Sequence, residues 1–218
     1  GKLPKAIVPV HLYGMPYDVS GIHTIAEKYG IPVIEDAAEA LGSSYDGKKA
    51  GSFGKMAVLS FNGNKIITTS GGGALLSNDE SLIRQAHFLS SQAREPAAHY
   101  EHKQIGYNYR MSNIVAGVGR GQLEVIDQRV QRRREIFEFY KQTISPIPGI
   151  SFLEEPQTPN TKHQTISNRW LTTILIDPDK AGFDQEELRL ALEEQNIESR
   201  PLWKPMHMQP VFSSTPAF

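Results

Sequence analysis

A lysine in a polar loop, followed by three glycines, is the first feature of the chain that could do chemistry. Leu59-Ser60-Phe61 reads as the end of a strand, Asn62-Gly63-Asn64-Lys65 as a loop, and Gly71-Gly72-Gly73 as backbone free to approach a ligand closely. A pocket lysine is a Schiff-base nucleophile, whereas a solvated loop lysine is the plain alternative. The lysine precedes the glycines, so the segment is not a P-loop. Upstream, the apolar run Val33-Ile34 ends in Glu35-Asp36, and Ala37-Ala38-Glu39-Ala40 follows. The carboxyl ends of parallel strands are where open α/β sheets bind ligands. Asp36 there either faces a cationic ligand nitrogen or caps the next turn. Gly106-Tyr107-Asn108-Tyr109-Arg110-Met111-Ser112 stands just before a helix. Asn and Arg at a helix start make an anion site, and Ser112 alone would make an ordinary N-cap.

These residues need elements to position them. Ala6 to Val10 reads as a buried strand, 18–29 as a helix capped by Asp18 and stopped by Gly30, and Pro32 to Glu35 as a second strand. Strand, helix, strand at this spacing is a βαβ unit with a parallel sheet covered on both faces. The apolar face of that helix is Ile22, Ile25, Ala26 and Tyr29. Two more strands are expected at Met56 to Phe61 and Gly73 to Leu76, then a helix from Asp79 to Ser91 and an irregular loop over 94–110. Ser112 to Ile144 reads as one long helix with a stripe of Leu123, Ile126, Val130, Phe137, Tyr140 and Ile144, broken by Pro146-Ile147-Pro148-Gly149. The run 154–162 reads as a surface loop. Trp170 to Ile176 and Ile197 to Leu202 read as strands flanking a helix over 184–195, whose Asp184 and Glu187 have capping-box spacing. The pattern implies an α/β first part, 1–125, and an α+β second part, 126–218.

Composition narrows the classes. The 218 residues are 39% hydrophobic and 22% charged, as in a globular protein rather than a disordered or collagen-like one. A net charge of −1 gives no global pull toward nucleic acid or an anionic membrane. With no cysteine, disulfides, thiolate catalysis and Cys-ligated zinc are excluded. No apolar run approaches the roughly 18 residues of a membrane span. No signal peptide is visible, and both ends of the chain read as cut. His99 and His102 lack the spacing of a helical metal pair, so no metal is expected. Arg132-Arg133-Arg134 lie beside Glu135 and Glu138 and read as a solvated helix face.

Taken together, Glu35-Asp36-Ala37-Ala38-Glu39-Ala40, then Ser60-Phe61 with Lys65, then Gly106-Tyr107-Asn108-Tyr109-Arg110 resemble the DegT/DnrJ/EryC1/StrS family of sugar aminotransferases. The resemblance covers essentially the whole chain. Further segments, including Gln92-Ala93-Arg94-Glu95, Ser167-Asn168-Arg169-Trp170-Leu171 and Ser199-Arg200-Pro201-Leu202-Trp203-Lys204, are similar to the bacillosamine-pathway branch. That branch makes UDP-4-amino-4,6-dideoxy-N-acetylglucosamine. The resemblance implies a fold-type-I architecture, with a large α/β domain holding pyridoxal 5′-phosphate and part of a smaller α+β domain. It also implies a cytoplasmic homodimer with the active site at its interface.

Carried over residue by residue, Lys65 would bind the cofactor covalently and Asp36 would pair with its pyridinium nitrogen. Glu39 would lie near its phenolic oxygen, and Ser60 would hold its phosphate. Asn108 of the partner subunit would reach the same phosphate. Arg110 and Arg200 would meet the nucleotide diphosphate, and His207 the substrate. The implied reaction moves an amino group from L-glutamate to C4 of a UDP-linked 4-keto-6-deoxy-N-acetyl sugar, with Lys65 carrying the proton. The family's Gly-Thr phosphate loop and stacking aromatic are absent from this sequence, so the chain alone is not expected to be fully competent. Two other readings stand beside this one. A sugar dehydratase of the same family would carry histidine in place of Lys65, and a non-catalytic relative would lack the Asp36, Ser60, Lys65 and Asn108 set.

Overall fold

Helix ends in this chain are written by capping residues, and the computed structural model, which describes residues 2–156 and 163–217, places them accordingly. Asp18 accepts from the Gly21 N–H to open α1 (Val19–Tyr29), and Gly30 closes it in the left-handed conformation that glycine adopts without strain. Only Val19 and Ala26 of α1 are buried; Ile25 and Tyr29 of the expected apolar face are exposed. β1 (Ile34–Asp36) follows, then a small hairpin of β2 (Ser44–Tyr45) and β3 (Lys48–Lys49), then β4 (Met56–Ser60) and β5 (Gly73–Leu76). Asp79 opens α2 (Glu80–Ser90) by accepting from the Ser81 and Leu82 N–H groups. After an irregular stretch come α3 (Asn113–Leu123), α4 (Ile126–Ile144), β6 (Ile150–Phe152), β7 (Thr165–Ile166), β8 (Ile174–Ile176), α5 (Pro178–Ala181) and α6 (Gln185–Glu194).

The central sheet has the order β1-β4-β5, with β4 parallel to β1 and β5 antiparallel to β4. It is therefore mixed rather than wholly parallel. Residues 6–10 run beside β1 through the parallel bridges Ile7↔Val33 and Val10↔Asp36. The segment is not the buried strand its composition suggested, because Val8 is 59% exposed.

The described chain divides into two compact units, Gly1–Phe139 with Glu154–Thr172, and Tyr140–Leu153 with Thr173–Phe218. A single cut at residue 125 does not reproduce this division. The reason is long-range pairing: β7 pairs with β2, and the segment around Trp170 packs into the first unit. In the second unit, β6 pairs antiparallel with β8, and α6 carries the expected capping box between Asp184 and Glu187.

Three further expectations are corrected. The helix expected over 112–144 is interrupted between Leu123 and Ile126, and Leu123 and Tyr140 of its stripe are exposed. Of the strand expected from Trp170, only 174–176 forms, because Trp170 and its neighbours bond to loops instead. Residues 197–202 have no strand partner among the described residues, and Ile197 and Leu202 are exposed. Of the loop expected over 154–162, residues 157–162 lie outside the described residues. No helix among the described residues is long and apolar enough to cross a membrane.

Candidate active site

The sheet brings two loops side by side at the ends of β1 and β4. Glu35 and Asp36 are successive strand residues, so their side chains leave the sheet on opposite faces. Glu35 is fully buried and accepts from His11 Nε2 at 3.0 Å and from the backbone N–H groups of Gly51, Phe53 and Gly54 at 2.8, 2.6 and 2.6 Å. Burial pushes its carboxyl up, but these four partners outweigh burial and hold it below the usual carboxylate range. Glu35 is therefore an internal clasp between β1 and the 51–54 loop. Asp36 is half-buried and accepts from the Ala38 N–H at 3.2 Å, which is the turn-capping geometry. Ala37 and Ala40 are completely buried, so the turn tolerates no larger side chain without displacing its neighbours.

Lys65 lies in the loop between β4 and β5. The loop is closed at its base by Phe61 N–H to the Gly72 carbonyl at 3.0 Å and Thr69 N–H to the Phe61 carbonyl at 2.9 Å. Gln122 of α3 grips Thr68 on both sides, accepting from its N–H at 3.0 Å and donating to its carbonyl at 2.6 Å. Ile67 is buried and anchors the loop from within. Held in this way, the Lys65 side chain is only 12% exposed, and its Nζ stands 3.6 Å from Glu39 Oε1. Glu39 is itself buried and accepts from the Tyr13 N–H at 2.6 Å. Burial pushes its carboxyl above the usual range, and the Tyr13 N–H and the Lys65 charge offset this only in part. Nearby Asp36 adds a smaller push in the same direction as burial.

Ser60 ends β4 opposite Gly73, with its Oγ 3.4 Å from the Asn62 N–H. Asn108 and Arg110 stand apart, on a segment tied to the end of α2: Asn108 bridges Ser91, and Arg110 contacts His87 and Ser91. Both are exposed. Arg200 and His207 belong to the second unit, where Arg200 pairs with Glu198 at 2.6 Å and His207 lies in a short 3-10 turn. The first unit thus brings Lys65, Glu39 and Asp36 together, with Ser60 at the strand end.

Sequence reasoning gave no role to several residues that build this site. Asn168 is buried and donates to the carbonyls of Glu39 and Leu41 at 2.8 and 2.9 Å. Ser43 accepts from the Asn168 N–H, and Ser43 and Ser167 both donate to the Gly14 carbonyl. Gly14 sits at φ +89°, and a Cβ there would lie 1.9 Å from Asn168 Oδ1, so this close approach requires glycine. Trp170 is 1% exposed, with Lys65 Nζ 4.0 Å from its ring centroid. The signal in the sequence was the Ser167-Asn168-Arg169-Trp170-Leu171 segment, similar to the bacillosamine-pathway branch but given no role there.

The donor set suits a phosphorylated pyridine aldehyde. An enclosed primary amine would take the aldehyde, Asp36 lies at the strand end for a ring nitrogen, and the Ser60 hydroxyl is available to phosphate.

Comparison with known proteins gives the family and the fold. The pattern of the DegT/DnrJ/EryC1/StrS aminotransferase family matches residues 2–217, and the chain belongs to that family. The chain is 54% identical over 212 residues to the Bacillus subtilis (strain 168) protein named "Putative pyridoxal phosphate-dependent aminotransferase EpsN", covering 97% of this chain and 52% of the relative. It is 39% identical over 209 residues to the GDP-perosamine synthase of Escherichia coli O157:H7, covering 96% and 54%. Among solved structures, Helicobacter pylori PseC, an aminotransferase involved in the biosynthesis of pseudoaminic acid, superposes with a TM-score of 0.84 at 27% identity, covering 97% of this chain and 56% of that one. The chain therefore spans about half the length of the curated relatives it matches. The expected α/β, fold-type-I architecture is borne out.

Proposed function

We propose that the full-length protein is a pyridoxal-phosphate-dependent aminotransferase acting on a nucleotide sugar. The observation that carries this is the enclosed Lys65 amine, held 3.6 Å from the buried Glu39 carboxylate beside the strand end bearing Asp36. Family membership and the names of the relatives support it. The cofactor would supply an electron sink for the carbon that exchanges its amino group. Lys65 would hold it covalently, Asp36 would keep a proton on its ring nitrogen, and Ser60 would bind its phosphate. Lys65 Nζ, once released, takes and returns the proton at the reacting carbon of donor or sugar. Glu39 keeps that amine oriented and balances its charge.

The finer reading is that L-glutamate gives its amino group to C4 of a UDP-linked 4-keto-6-deoxy-N-acetyl sugar, as in the bacillosamine branch. The support is the segment-by-segment resemblance together with Glu39. The relatives named for GDP-perosamine make a GDP-linked substrate the main competitor. Asn108 of the partner subunit would complete the phosphate site. Arg110, Arg200 and His207 would bind the nucleotide sugar. A homodimer in the cytoplasm is part of the same proposal.

The test uses the full-length protein with pyridoxal phosphate. A yellow band that bleaches on adding L-glutamate, and a borohydride-fixed adduct on Lys65, are expected. UDP- and GDP-linked 4-keto sugars then compete as acceptors, and the UDP sugar should react faster. No adduct on Lys65 overturns the cofactor assignment, and preference for the GDP sugar overturns the finer reading.

A further inference from the structure

Lys65 has an aromatic neighbour as well as an acidic one. Trp170 touches the lysine at two levels. Its ring lies under the ammonium, with Nζ 4.0 Å from the centroid. Its indole N–H donates to the carbonyl of Asn64, the residue just before Lys65, at 2.7 Å. One buried side chain thus restrains both the backbone from which Lys65 springs and the amine at its tip. A free lysine side chain samples many rotamers, and fixing both ends removes most of them. The ring face attracts a cation without accepting its proton, so the proton that Lys65 must lose before it attacks an aldehyde is left for Glu39, 3.6 Å away, to take.

Trp170 is itself firmly placed. Its backbone N–H donates to Asn168 Oδ1 at 2.9 Å, and the Asn168 amide is tied to the Glu39 and Leu41 carbonyls. Arg169 between them has φ 51°, a left-handed backbone that reverses the chain and lets Asn168 and Trp170 both face inward. Arg134 of α4 donates to the Ser167 carbonyl at 2.7 Å and pairs with Glu155, which accepts from the Ser167 N–H at 2.7 Å. The same knot therefore orients the ring under Lys65 and fixes the backbone of Glu39.

We propose that Trp170 is a positioning residue for Lys65, presenting the amine beside Glu39 before cofactor arrives and receiving it again after each turnover. This rests on the reading of Lys65 as the cofactor lysine. The experiment uses the full-length protein stripped of cofactor, with Trp170→Met, which fills space without a ring, and Trp170→Phe, which keeps a ring without the N–H. Two quantities are measured: the rate at which pyridoxal phosphate becomes borohydride-fixable on Lys65, and the affinity for pyridoxine 5′-phosphate, which lacks the aldehyde and cannot link.

Trp170→Met should slow capture about tenfold, by releasing the side-chain rotamers that the ring and the Asn64 hydrogen bond remove, with unchanged affinity for pyridoxine 5′-phosphate. Trp170→Phe should recover most of the rate and remain about threefold slow through loss of one hydrogen bond. A wild-type rate in Trp170→Met overturns the proposal, as does a parallel loss of pyridoxine 5′-phosphate affinity, which marks a packing role. Should Trp170→Met not fold, a wild-type rate in Trp170→Phe overturns the two-point restraint. If the unaltered protein captures no pyridoxal phosphate on Lys65, the functional reading fails first and this proposal falls with it.

Discussion

At the scale of single residues, two buried glutamates four positions apart have opposite acid–base behaviour. Glu35 has four partners for its charge and titrates below its ordinary value of 4.5. Its contribution to stability is therefore complete above that value and is lost as pH falls through the lowered folded-state pKa. Glu39 is raised above 4.5 by burial. The fold holds its proton more tightly than the unfolded chain does, so this contribution is present below 4.5 and is lost as pH rises through the raised value. Urea midpoints measured across acid pH should show both signs: Glu39→Gln removes the decline on the rising side, and Glu35→Gln removes part of the acid-induced loss. Glu35→Gln should also cost on the order of 3 kcal/mol at neutral pH, because a buried charged network is broken. Lys65→Ala should lower turnover by about a thousandfold or more, since anchor and proton carrier disappear together, and should leave no borohydride adduct. Lys65 and Asp36 drew attention through residue type and local spacing, and Glu39 through the family resemblance. Trp170 and Asn168 were given no role, because they reach the site from more than 100 residues away, and no local pattern records a contact of that range.

At the scale of elements, the pairing of β4 with β5 sets the geometry of the lysine loop. A Cβ on Gly73 would lie 2.3 Å from the Leu59 carbonyl oxygen, whereas a Cβ on Gly63 meets nothing within 4 Å. Gly73→Ala should therefore destabilise the protein by about 1–3 kcal/mol and weaken cofactor capture by moving Ser60. Gly63→Ala should do neither. Thermal unfolding and the borohydride assay check both variants. The caps of α1, α2 and α6 were readable because Asp18, Asp79 and Asp184 act on N–H groups two or three residues away. The break after Leu123 was not readable, because the hydrophobic stripe runs through it without a proline or a terminal glycine. Ile197 to Leu202 has strand-like composition but no neighbouring strand among the described residues, and composition cannot supply one.

At the scale of the whole molecule, the stretch before and within α3 carries exposed apolar groups. Ile114 is 82% exposed, and Ile105, Tyr109 and Val118 are also exposed. This surface adjoins Asn108 and Arg110, and it is predicted to meet its copy in the proposed homodimer. Ile114→Glu in the full-length protein should shift sedimentation from dimer to monomer and reduce cofactor retention together. A stable dimer that keeps the substitution would remove α3 from the interface. The division of the chain into two units also shows why one boundary drawn on the sequence was too simple: β7 and Trp170 follow β6 in the chain but pack with residues far upstream. The two adjacent acids of β1 carry a last implication, for heredity. They face opposite sides of the sheet, so one residue gained or lost in the strand would exchange the faces of Glu35 and Asp36 rather than merely shift them. Length variation is thus closed to this strand.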